Sequence, residues 1–222
     1  MSRVFRNNGL SIVLTLLFFG CLFGQYTTGY LELNQDHKTH GQPTISFFSY
    51  AGSKHFLEAT MENWESEFLQ MFGFVVFTAF LFQKGSAESK DPDKEEAVDR
   101  DARKVRNKKS SPWPVRKGGL VLRVYENSLS LAFFLLFVIS FLLHAVGGAG
   151  VYSDEQRAHG QHETVSAVEY MGTSRFWFES MQNWQSEFLS VGSMVVLTIF
   201  LRQRGSPESK PVDGANGATG SD

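Results

Sequence analysis

Two glutamates stand at the same place in two copies of one short word. Asn63-Trp64-Glu65-Ser66-Glu67-Phe68-Leu69 and Asn183-Trp184-Gln185-Ser186-Glu187-Phe188-Leu189 each lead into an apolar run. At 100° per residue, Asn63, Glu67, Gln70, Phe74 and Thr78 share one side of a helix, and Asn183, Glu187, Ser190, Met194 and Thr198 form the matching stripe. A carboxylate on a membrane helix is costly to leave against hydrocarbon. It therefore faces protein or water, and is a default candidate for binding or moving an ion. The other apolar runs carry Gln25 and His144. Counted from the cytoplasmic ends at ~1.5 Å per residue, Gln25 and Glu67 reach similar heights. The expected pairs are Gln25 beside Glu67 and His144 beside Glu187, near the outer edge of a bilayer, where a neighbouring carboxylate favours the charged histidine and burial opposes it. The same residues have a plainer reading. Asn, Gln, Ser, Thr and His hold membrane helices together at about 0.6 kcal/mol per hydrogen bond, and Trp64 and Trp184 then serve as interfacial anchors.

The elements that would position these groups follow from the apolar blocks. Mean composition, with 42% apolar residues in 222, resembles an ordinary globular domain, but the apolar residues are gathered into four runs. From Met61 to Lys90 against Met181 to Lys210, 18 of 30 positions are identical without a gap, which marks an internal repeat. Asn8-Gly9-Leu10-Ser11 likewise matches Asn127-Ser128-Leu129-Ser130. Spanning helices are expected at about 8–27, 63–82, 127–147 and 183–201, in repeats covering 1–90 and 125–210. Arg3 and Arg6 before an apolar core also suit a cleaved signal peptide. The matching run deep in the chain favours retention of the first helix. The second and fourth apolar runs, Phe68 to Phe82 and Phe188 to Leu201, are shorter than the ~20 residues a bilayer core takes. They must recruit the polar-aromatic word to reach the far side.

Of the 21 Lys and Arg residues, 12 lie between Lys84 and Arg123, and the two termini hold most of the others. The positive-inside rule then places both termini and the central linker, 91–124, in the cytoplasm. Two hairpins of equal orientation are the parallel class of repeat. The linker reads as solvated and either disordered or weakly helical, with Trp113, Arg116, Lys117 and Arg123 suited to headgroups. Arg103, Arg106, Lys108 and Lys109 are candidates for contact with anionic lipid. Residues 211–222, rich in glycine, are expected to lack structure. A net charge of −2 argues for no nucleic acid. His37 with His40, and His159 with His162, have spacings a metal uses, yet bring no cysteine or clear carboxylate at ligand spacing, so they read as solvated loop histidines and no metal or cofactor is expected. Cys21 stands alone and forms no intrachain disulfide. No phosphate loop, nucleophile elbow or zinc signature is present, and an enzyme is not expected.

Trp113-Pro114-Val115-Arg116 through Leu122, Phe176-Trp177-Phe178-Glu179-Ser180, Asn183 to Leu189 and Arg202 to Lys210 together resemble an uncharacterised bacterial membrane family, a domain of unknown function, over Asn8 to Lys210. The resemblance implies a small bacterial inner-membrane protein and carries no known activity. The expected fold is all-α, a polytopic membrane protein with four transmembrane helices in two tandem hairpins. The expected role is non-enzymatic, structural or partner-binding. The alternative is a small transporter or channel using Glu67 and Glu187.

Overall fold

A computed structural model describes residues 3–160 and 164–220. Among them are eight α-helices and no strand, as the all-α expectation has it. Four helices are long: α1 (Arg3–Thr39), α3 (Lys54–Phe80), α6 (Ser128–Ala158) and α8 (Ser174–Phe200). Four are short: α2 (Phe47–Tyr50), α4 (Trp113–Lys117), α5 (Gly119–Glu126) and α7 (Ala167–Met171). Among the described residues, only α1 and α6 are helices long and apolar enough to cross a membrane. The first half of α3 carries Glu58, Glu62, Glu65 and Glu67, and that of α8 carries Arg175, Glu179 and Glu187. The helices themselves thus show two candidate spans where the sequence suggested four.

Each long helix overruns its apolar run. Polar side chains such as Glu, Gln and Lys propagate a helix as well as Leu does, so α1 continues past residue 27 to Thr39 and α3 begins at Lys54 rather than 63. The chain divides into two compact units. One holds Met1–Glu62 with Phe141–Trp177, the other Asn63–Ser140 with Phe178–Asp222.

In the first unit the aligned stretches adopt the same local geometry twice. Ser46 caps α2 by accepting from the Ser49 amide, and Ser166 caps α7 by accepting from the Glu169 amide. Tyr50 and Tyr170 follow at the same step, and both are buried. Each lies against a glycine of the preceding long helix. A Cβ built on Gly29 would collide with the Tyr50 hydroxyl, and one on Gly148 with the Tyr170 ring. Asn34 exchanges two hydrogen bonds with the Ile45 backbone, and Ser153 does the same with Val165. A glycine notch, a polar clamp and a capped turn therefore tie each connecting segment back onto its helix. Ala145, Ala149, Tyr170 and Phe176 form the buried core of the second of these ties.

Asn8 and Asn127 also share a geometry. Asn8, with φ −132° and ψ 16°, kinks α1, while Asn127, with φ −115° and ψ 12°, separates α5 from α6. In both the side-chain amide donates to the carbonyl four residues back, Val4 or Arg123. Such local bonding competes with the helical ladder.

In the second unit, Gly85 and Gly205 take φ of 89° and 85°. The Gln83 and Gln203 amides each donate to a serine hydroxyl six residues on, Ser89 or Ser209, at 2.9 Å. The linker carries 3-10 turns at Ala97–Asp99 and Ala102–Val105. Pro112 then opens α4 and Gly118, φ 71°, ends it. Residues 211–220, expected to lack structure, run in turns around the Lys210 ammonium. That residue is 2% exposed, and its ammonium donates to the carbonyls of Gly85 at 2.5 Å and of Asn216 and Ala218 at 2.9 Å. A buried ammonium must find acceptors, and the glycine-rich tail supplies carbonyls no side chain blocks. Residues 221–222 lie outside the described residues.

Candidate functional site

In the first unit, the polar extensions of the four long helices surround a cavity of about 710 Å³. Its wall is cross-braced by polar contacts between successive long helices, two of them ion pairs. Glu32 of α1 meets His55 of α3 at 3.0 Å, Lys54 of α3 meets Asp154 of α6 at 3.3 Å, and Glu155 of α6 pairs with Arg175 of α8. Residues 54 and 55, and 154 and 155, are chain neighbours, so α3 and α6 each reach in both directions. Arg157 also holds Asp154, at 2.9 Å. Tyr50 lies behind this wall with its hydroxyl 2.9 Å from His55 Nδ1. Burial first, then the Glu32 carboxylate and Tyr26, push the Tyr50 phenol up to about 12. The surface facing the cavity alternates carboxylates with imidazole, ammonium and guanidinium groups. Such a wall can bind a polar or zwitterionic group through several weak contacts.

Of the histidines expected in loops, His37 lies in the last turn of α1 and His40 and His159 in the turns that follow α1 and α6, and all three line the same cavity. His37 Nδ1 lies 2.8 Å from the Pro43 carbonyl, His40 sits 3.1 Å from Asp36, and His159 Nδ1 lies 2.8 Å from the Glu155 carbonyl. Among the described residues no group of three His, Cys, Asp or Glu side chains is placed to hold a metal. His162 lies outside the described residues.

The polar-aromatic word belongs to the second unit, where its buried carboxylate is that of Glu65. This carboxylate is fully buried and accepts from the Ser180 hydroxyl at 2.8 Å and the Trp184 indole at 3.1 Å. Further along, Gln70 donates to the Glu187 carbonyl at 2.9 Å and to the Ser190 hydroxyl at 3.2 Å. Gln70 and Ser190 are equivalent positions of the aligned stretches, and here they meet. The buried arc of α3 runs through Glu65, Ser66, Gln70 and Gly73.

The residues singled out by sequence fall as follows. Asn63 and Glu67 are exposed, and Asn183 and Glu187 are half-buried. The Asn183 side chain donates to the Glu179 carbonyl. Trp64 stacks edge-on to Phe68, whereas Trp184 turns its nitrogen to Glu65 and its ring to Phe137. In the first unit Gln25 donates to the Thr60 hydroxyl at 3.2 Å, and the buried His144 ring stacks on Phe176 at 4.9 Å. Sequence reasoning passed over Glu65. Its one signal was that the copy is an amide, Gln185, so the two words differ at the position that is buried here.

No curated protein and no solved structure matches the chain. The family model described as a domain of unknown function, DUF6766, covers residues 1–221, and the chain belongs to that family.

Proposed function

We propose that this is a non-enzymatic integral protein of the bacterial inner membrane, built from two repeats. All four apolar runs cross, and the termini and the linker lie in the cytoplasm. In this reading the connecting segments form an outer receptacle for a partner or a small polar solute. The observation that carries it is the cavity of about 710 Å³ walled by interhelical ion pairs and the His55–Glu32 contact. Those pairs fix the wall before anything binds, which lowers the ordering cost of association. Membrane residence is supported by the exposed Leu and Phe side chains of α1 and α6, among them Leu10, Leu16, Phe19, Leu129 and Leu135. Alkaline carbonate extraction of bacterial membranes tests it. The protein is expected in the pellet, and release into the supernatant contradicts membrane insertion.

A transport or channel role for Glu67 and Glu187 is the second reading. It is favoured by the polar contacts between α3 and α8, where Gln70 reaches the Glu187 carbonyl and Ser190. The double variant Glu67→Gln with Glu187→Gln separates the two. Loss of a flux or of a pH-sensitive phenotype with folding intact supports transport; a variant that only loses stability assigns the carboxylates to structure.

A further inference from the structure

The second unit holds a smaller cavity, of about 480 Å³, between the linker and α5. Three guanidinium groups line it: Arg103 and Arg106 from the 3-10 turn region and Arg123 from α5. Arg106 is fixed, donating to the Arg116 and Lys117 carbonyls at 3.1 Å each. It packs on Gly118, where a Cβ would meet the guanidinium carbon at 3.2 Å. The side chains of Arg103 and Arg123 are exposed, and among the described residues neither forms a hydrogen bond or ion pair. Gly118, whose amide donates to the Pro114 carbonyl at 3.0 Å, and the first residues of α5, Gly119 and Leu120, complete the wall. This helix start has no side-chain cap, so its amides remain available to an anion. One carboxylate, Glu126, also lines the cavity, against the three guanidinium groups.

The apolar surroundings indicate what kind of anion fits. Leu120 is 77% exposed, and Trp113, Val124 and Tyr125 are exposed on the same two short helices. Lys117 lies over the Trp113 ring at 5.0 Å. Only Asn127 separates α5 from α6, one of the two helices apolar enough to span. A segment with aromatic and aliphatic side chains beside arginines, adjoining a span, suits the interfacial layer. A free anion needs no apolar collar, whereas a phospholipid presents a phosphodiester and acyl chains together.

We propose that Arg103, Arg106, Arg123 and the start of α5 form a site for the phosphodiester of an anionic phospholipid at the cytoplasmic face. The inference rests on the membrane reading above and sharpens its lipid contact. Arg123 enters the site, and Lys108 and Lys109 do not line it. Guanidinium groups grip phosphate oxygens in pairs, and Leu120 meets the chains.

Binding of fluorescent phosphatidylglycerol to the full chain in neutral detergent tests this, with phosphatidylcholine as the zwitterionic comparison. Arg103→Gln with Arg123→Gln is expected to weaken phosphatidylglycerol binding about tenfold or more, since each basic residue near a membrane surface supplies several-fold. Lys108→Gln with Lys109→Gln removes the same charge and is expected to change it less than about twofold, because neither lysine lines the cavity and solvated charge outside it is screened by salt. Leu120→Asn, which changes no charge, tests the collar independently and is expected to weaken binding too. Equal losses in both charge-matched pairs, or none in the arginine pair, overturn the site. Full competition by inorganic phosphate assigns it to a free anion and overturns the lipid. Carbonate extraction of the same variants reads the membrane reading separately, because all of them are expected to stay in the pellet whether or not they bind lipid.

Discussion

At the scale of single residues, charge and hydrogen bonding are decided by which side of a helix is covered. The 3.6-residue period groups Asn63, Glu67 and Gln70 on one side of the helix, yet in the structure Glu65 and Gln70 are buried while Asn63 and Glu67 are exposed. Both sides of α3 are polar in this stretch, and a helical wheel gives relative angles without saying which angle meets a partner. Glu65→Ala is expected to destabilise the fold by about 3–5 kcal/mol or prevent its accumulation, because it leaves the Ser180 hydroxyl and Trp184 indole without their acceptor. Glu65→Gln keeps an acceptor and is expected to cost less; thermal melts of the two variants measure the difference. Tyr50 makes a separate test. Its phenol is raised to about 12 from 10.0, with burial the first cause. A phenol raised in the folded state contributes stability that is fully present below the unfolded value and is lost as pH rises through the folded one. Phenolate absorbance is therefore expected to show one tyrosine titrating near 12, together with loss of helicity between about pH 10 and 12. Tyr50→Phe is expected to abolish that late step.

At the scale of elements, the long helices were legible from their apolar runs and their ends were not. The overrun is held by ion pairs between residues far apart in sequence, such as Lys54 with Asp154, which no local window contains. The ties of the connecting segments were equally hidden. Gly29 and Gly148 become intelligible only beside Tyr50 and Tyr170, which fill the space a Cβ would need. Gly148→Val is expected to destabilise by about 1–3 kcal/mol through overpacking against the Tyr170 ring. Gly20→Val, where nothing lies within 4 Å of the added carbon, is expected to be close to neutral. A melting comparison of this pair decides whether the notch is structural. The kink at Asn8 and its counterpart at Asn127 were visible in the sequence as a shared Asn-x-Leu-Ser, though not as a break, because asparagine is tolerated inside helices as well as at their ends.

At the scale of the whole molecule, the aligned stretches carry matching caps and glycine turns, while the order of the tail escaped notice. Its glycines suggested disorder, but Lys210 organises them, and Arg202 holds the same segment through the Pro211 and Gly214 carbonyls. Lys210→Met is expected to release residues 211–220, with faster removal of the C-terminus by carboxypeptidase as the readout. Resistance equal to the parent would show that the ammonium is not the organiser. Substituted-cysteine labelling in a Cys21→Ser background tests the four-span arrangement most directly. An impermeant maleimide is expected to label Thr39→Cys and Thr164→Cys on intact spheroplasts, and Glu95→Cys and Arg204→Cys only after permeabilisation. Labelling of Glu95→Cys or Arg204→Cys from outside would contradict it, because α3 or α8 would then fail to cross.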